Sequence, residues 1–289
     1  MIPIKEIVAG RRWSRVFCML SAYLDESYNS RTFCVGGWVL PDKAWIPFER
    51  DWNQRIEMER RNSVKKGFPP ISRYHASDCN SFKREFARDK GWDEARQLRL
   101  SKKLLGVISK HRPHGVVIGG SIEQFLRYFP DDKGRWRDAL YYVSVSLVLK
   151  ELAEMRRVLF PSEQISVFYD RGSMSSKASR AFDSLKSDPR NSDIAPGFFS
   201  MGPVGWEDCS LLQSADLLAY EGMKRLDGRL TGRVAIRKSF ASLLGEKVDI
   251  GVAAFTDEYY QAIQQRKLEE IRSIMEAEEG GETLATEMP

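Results

Sequence analysis

The 289-residue chain alternates short, nearly continuous apolar runs with longer stretches of helical period. Residues 16–25 (V-F-C-M-L-S-A-Y-L-D) are almost unbroken, the pattern of a central strand covered on both faces. Residues 32–40 (T-F-C-V-G-G-W-V-L) follow closely enough to form a hairpin, with Gly36-Gly37 marking a bulge or a close backbone approach. Helical period over 42–61 rests on Trp45, Phe48, Trp52, Ile56 and Met58. Residues 62–73 carry K-K-G-F-P-P and read as a loop, and 74–78 open a short third element. Further strands are expected over 114–122, 165–170 and 197–201. Further helices are expected over 92–110, 136–159, 173–187, 210–226, 233–244 and 257–279. The last ten residues have the composition of a disordered end.

A hairpin first, then strands alternating with helices, predicts an α/β fold with a mixed sheet. The expected organisation is an α/β unit over 1–256 with a helical insertion around 42–72, then a terminal helix and acidic tail over 257–289.

Composition sharpens this only in places. No apolar stretch approaches the roughly 20 residues that span a bilayer, and the N-terminus lacks the order of a signal peptide. Cys18, Cys34, Cys79 and Cys209 show no C-x-x-C spacing, so a cytoplasmic protein with reduced thiols and no zinc cage is expected. The net charge of +5 hides an uneven distribution. Residues 81–112 hold ten basic and four acidic side chains, 224–238 six and one, and 266–289 three and seven. A basic body behind an acidic tail suits a polyanion such as nucleic acid, although solvated helix faces give the same counts.

The candidate chemistry lies in carboxylates at the edges of apolar elements. Asp25 and Glu26 close the first run, where side chains of neighbouring strand residues reach one site only if the strand ends and turns. A plain hairpin turn is the other reading. Asp170 ends I-S-V-F-Y-D and is either a strand-end site residue or an N-cap for the next helix. Asp216 sits inside L-L-Q-S-A-D-L-L-A-Y, on a helix face it shares with Leu212 and Ala219, with Gln213 one turn earlier. Such a pair needs partners, either a core hydrogen bond or a site. Buried carboxylates are costly unless compensated, and a shared divalent cation compensates several at once. Two Mg2+ or Mn2+ ions held by oxygen ligands would suit phosphodiester hydrolysis.

In R-Y-H-A-S-D-C, His75 fits a metal ligand, a proton carrier or a structural histidine, and Asp78 fits a helix cap. His111 and His114 flank Pro113 without a third ligand. Trp38, Trp92, Trp136 and Trp206 offer rings for base stacking, with core packing as the plainer use.

The ordered set Y-L-D-E-S, H-A-S-D, a strand ending F-Y-D, and L-Q-S-A-D-L-L-A-Y resembles the family called domain of unknown function 3800, across residues 22–220. That family is similar to ribonuclease-H-like folds. The resemblance implies a mixed central sheet flanked by helices, with Asp25 as first-strand metal ligand, Asp170 as the ligand ending a later parallel strand, and Asp216 as the closing helical ligand. Glu26 and His75 also match family positions, completing an expected catalytic set of Asp25, Glu26, Asp170, Asp216 and His75. Gln213, Arg171 and Asp78 are the expected substrate contacts. Tyr28 stands where the family usually has glycine after D-E-S.

The expectation is therefore a metal-dependent nuclease or phosphodiesterase acting on DNA or RNA. The alternative is a non-catalytic nucleic-acid-binding or scaffold protein of a mobile-element or defence system, since family members travel with such genes. A metal-free glycosidase has only the aromatic content of 11% behind it, and no G-x-S-x-G supports a serine nucleophile.

Overall fold

The computed structural model describes residues 19–276, apart from positions 132, 173, 234 and 247. Six strands form one sheet in the order β5-β4-β1-β2-β3-β6. They are β1 (Met19–Tyr28), β2 (Thr32–Pro41), β3 (His114–Ser121), β4 (Gln164–Asp170), β5 (Phe198–Val204) and β6 (Ile250–Ala254). β2 runs antiparallel to both β1 and β3, whereas the β1–β4, β4–β5 and β3–β6 pairs are parallel. The sheet is thus mixed, with β2 alone reversed.

Strand alternation divides the core in two. Leu20, Ala22 and Leu24 of β1, with Ile165, Val167 and Tyr169 of β4, face a layer made by α4 (Ile122–Tyr128), α5 (Trp136–Leu159), α6 (Ser175–Ser187) and α9 (Asp257–Glu276). The opposite face meets α1 (Asp42–Lys65), α2 (Ala76–Ser81), α3 (Glu94–His111), α7 (Leu212–Leu230) and α8 (Lys238–Gly245). A sheet covered on both sides explains why β1 and β2 read as continuous apolar runs.

Gly36 and Gly37 mark a close approach and no bulge, because the β1–β2 register runs without a break. A Cβ at Gly36 would lie 2.9 Å from the Ala219 Cα, so α7 rests directly on β2 at that point. One turn on, a Cβ at Gly222 would meet Val117 of β3 at 2.4 Å, which lays the helix flat across both strands. Gly36 is also the cross-strand partner of Asp25. Asp216 lies one turn before Ala219, so this glycine contact brings Asp216 to the end of β1.

Several expectations need correcting. β1 does not end at Asp25: pairing with β2 continues through Tyr28, while parallel pairing with β4 stops at Leu24–Tyr169. The turn comes at residues 29–31, where the Asn29 side-chain oxygen accepts from the Arg31 and Thr32 N–H groups, so it needs no glycine at Tyr28. The element around His75 is the helix α2, and β6 adds an edge strand the sequence reading left out. The expected terminal helix kinks at Lys267 and its expected end, like the acidic tail and Cys18, lies outside the described residues. Among the described residues, no helix is long and apolar enough to cross a membrane.

Candidate functional site

The open end of the sheet is where β1 separates from β4. Their last parallel pair is Leu24–Tyr169, so Asp25 and Asp170 are the next residues on adjacent strands. By alternation both point to the α7 face. In an α/β sheet, such a crevice beyond the carboxyl ends of parallel strands is the favoured ligand position. A cleft of about 410 Å3 opens there. Asp25, Glu26, Asp170 and Asp216 all line it, together with His75 and Arg73. Glu26 belongs by alternation to the other face, yet it still reaches the cleft beside Asp25.

These carboxyls are crowded and poorly hydrated. Burial pushes Asp25 well above the usual carboxylate range, and the nearby Glu26, Asp216 and Asp170 charges add to it. Glu26 is pushed up to about 7, first by burial and then by the charge of Asp170. Asp216 and Asp170 are also raised by burial, with His75 partly offsetting the first and Arg73 the second. Desolvation and like charge both favour the neutral forms, so an unneutralised set costs folding energy when ionised.

Partial hydrogen bonding leaves oxygens over. One Asp25 oxygen accepts from the Glu26 N–H at 2.8 Å, and one Asp216 oxygen from the Ala76 N–H at 2.7 Å. Asp170 Oδ1 is buried without a hydrogen-bond partner. The helix-cap reading of Asp170 fails, because Met174 occupies the N-cap of α6 without a side-chain cap bond. The turn reading of Asp25 fails because it lies within paired strand. The core hydrogen-bond reading of Asp216 holds for one oxygen only.

The basic groups of the cleft also have partners of their own. His75 Nδ1 lies 2.9 Å from Asp78 Oδ2. The amide of Asp78 is a more distant partner for the same nitrogen, at 3.4 Å. As the acceptor of that N–H, His75 Nδ1 caps the start of α2. Asp78 is therefore not the helix cap; it lies inside α2 as the partner of His75, while Asp78 itself does not line the cleft. Arg73 lies over the Trp206 ring, 4.1 Å from its centroid.

Two further expected contacts have different roles. Gln213 lines the cleft, but its oxygen accepts from the Tyr74 N–H at 3.0 Å and from the Trp52 indole at 3.3 Å. It braces the segment that carries Arg73 and His75. Arg171 lies outside the cleft lining and sits 3.8 Å from Asp208. His111 and His114 part company, pairing with Asp51 and Asp249 respectively. Of the four tryptophans considered for base stacking, Trp38 and Trp92 are core residues, Trp136 is half-buried against Tyr28 and Phe33, and only Trp206 lines the cleft. Sequence reasoning missed Arg73 and Tyr28 as lining residues. Their one signal is adjacency, to His75 and to D-E-S.

The donor set is oxygen-rich, has an orphaned buried carboxylate oxygen, and crowds like charge onto Asp25 and Glu26 that a cation would relieve. It fits a hard divalent ion such as Mg2+ or Mn2+. The carboxylates line the cleft without closing into a cage: among the described residues, no group of three or more His, Cys, Asp or Glu is ready to hold an ion. Magnesium keeps several waters and draws ligands from bound phosphate, so an open arrangement is compatible with it. No protein-family model matches the chain, and no curated protein matches it.

Proposed function

We propose that the protein is a metal-dependent nuclease with a ribonuclease-H-like fold, related to the domain of unknown function 3800 family. One observation carries the reading: four carboxylates from two strands and a helix line one cleft, where burial and the charges of Asp170 and Asp216 raise Asp25 and Glu26, and one buried oxygen has no partner. The strand order supports the fold, with β1 central and β4 parallel beside it.

Asp25, Asp170 and Asp216 would hold Mg2+ or Mn2+, which would neutralise the phosphodiester and stabilise its attacking and leaving oxygens. Glu26, pushed up to about 7 by burial and the Asp170 charge, would serve as the general base or acid. His75, held through Nδ1 by the Asp78 N–H, lines the cleft and would carry a proton there. Gln213 holds the Arg73–His75 segment in position through Tyr74.

The test is cleavage of labelled DNA and RNA oligonucleotides in Mg2+ or Mn2+. Asp25→Asn and Asp170→Asn should each abolish cleavage while leaving the protein folded. If both variants cut like the parent, the reading is wrong. Salt-sensitive binding that ignores EDTA, without cleavage by the parent, would favour the scaffold alternative.

A further inference from the structure

Two aromatic–guanidinium pairs stand at the cleft that holds the carboxylates. Trp206 and Arg73 both line it, with the guanidinium carbon 4.1 Å from the indole centroid. Tyr28 lines it too, is 44% exposed, and carries Arg137 at 5.1 Å from its ring. Arg137 also donates to the Tyr28 hydroxyl at 2.9 Å. Tyr28 is supported from behind by Phe33, stacked at 6.0 Å, and by Trp136, edge-on at 6.3 Å. This backing holds an exposed ring in one orientation, which a free surface tyrosine would not have.

The chemistry of the pairs is specific. A planar guanidinium on an aromatic ring offers a flat, positively charged surface. Unstacked bases bind such surfaces, on aromatic rings or on arginine planes, and their phosphates take the same positive charge. A base inside a duplex has both faces covered by its neighbours and cannot stack on a side chain. A cleft of about 410 Å3 is also the size of a small-ligand site, narrow for two paired strands.

We propose that the cleft takes an unpaired nucleic-acid strand, with nucleotides beside the reacting phosphate stacking on Trp206–Arg73 and on Tyr28–Arg137. This rests on the nuclease reading for the role of the phosphate, but strand preference is measured separately from cutting.

The experiment uses the full chain carrying Asp170→Asn, so that bound strands stay intact. Fluorescence anisotropy at fixed salt compares a labelled 20-nucleotide single strand with the blunt duplex of the same sequence. The single strand should bind at least tenfold tighter. Adding Trp206→Ala should weaken single-strand binding about tenfold to a hundredfold and leave duplex binding unchanged. Trp206→Phe should retain most of the affinity, and Arg73→Lys should lose affinity by keeping charge without the plane. Thermal melting of each variant confirms folding, and Tyr28→Ala against Tyr28→Phe repeats the comparison on the second pair. Equal affinity for strand and duplex would overturn the proposal, as would single-strand binding indifferent to both Trp206→Ala and Tyr28→Ala. A parent that cuts nothing in Mg2+ or Mn2+, yet shows ring-dependent strand binding, would sink the nuclease reading and leave this one standing. A parent that cuts blunt duplex as fast as single strand would do the reverse.

Discussion

Replacing Glu26 by glutamine should change how stability depends on pH. In the folded protein the Glu26 carboxyl keeps its proton to about pH 7, against an ordinary value of 4.5, because it is buried beside Asp170. Between those values the folded state binds more protons than the unfolded chain, so stability falls as pH rises. Below pH 4.5 both states hold the proton and Glu26 carries no penalty. Above pH 7 the penalty is complete. A rise from 4.5 to about 7, at roughly 1.4 kcal/mol per pH unit, amounts to about 3 kcal/mol. Glutamine has no proton to lose. In EDTA, Glu26→Gln should therefore match the parent near pH 4 and exceed its stability by about 3 kcal/mol near pH 8. Equilibrium urea unfolding, followed by tryptophan fluorescence across that range, reads the difference directly. Millimolar Mn2+ near pH 8 should narrow the gap, because a cation in the cleft offsets the Glu26 charge that only the parent carries. If the parent and variant curves run parallel from pH 4 to pH 8, Glu26 does not face uncompensated charge and the electrostatic account of the cleft fails.

Two other substitutions probe how the fold positions the site. Gly36→Val places a side chain where a Cβ already lies 2.9 Å from the backbone of α7. It should cost about 1–3 kcal/mol in urea unfolding and, by moving Asp216 from Asp25, slow cleavage about a hundredfold. Gln213→Leu removes the acceptor for the Tyr74 N–H and the Trp52 indole. It should cost roughly 1–3 kcal/mol per orphaned donor, whereas Gln213→Glu keeps an oxygen there and should lose less.

The legible parts of the chain were those whose local pattern matches their final surroundings. β1 and β2 were recognisable as strands because both faces are covered and most positions are apolar, although β1 runs on to Tyr28, past its expected end. Asp216 stood out because a carboxylate between Leu212 and Ala219 has no place on a plain packing face. The Asp25–Gly36–Ala219 arrangement was only half visible: two glycines announced a close approach, but not which helix makes it. β6 escaped notice because I-G-V-A-A is a short edge strand with little buried surface. Counting basic residues over 81–112 misled in part, since Arg96 is buried, 2.7 Å from Glu59, and offers nothing to a phosphate. Arg73, Trp206 and Tyr28 come from three distant segments, and only the folded chain brings them to one cleft. Asp78 looked like a cap because helix starts favour aspartate, but His75 takes that position and uses Asp78 as its partner.

The most direct measurement is a crystal of the protein soaked in Mn2+, with anomalous difference density collected at the manganese edge. The account predicts a strong peak in the cleft within bonding distance of oxygens from Asp25, Asp170 and Asp216, and its loss in Asp170→Asn. Density elsewhere, or an empty cleft at millimolar Mn2+ with the carboxylates as they stand here, would contradict it.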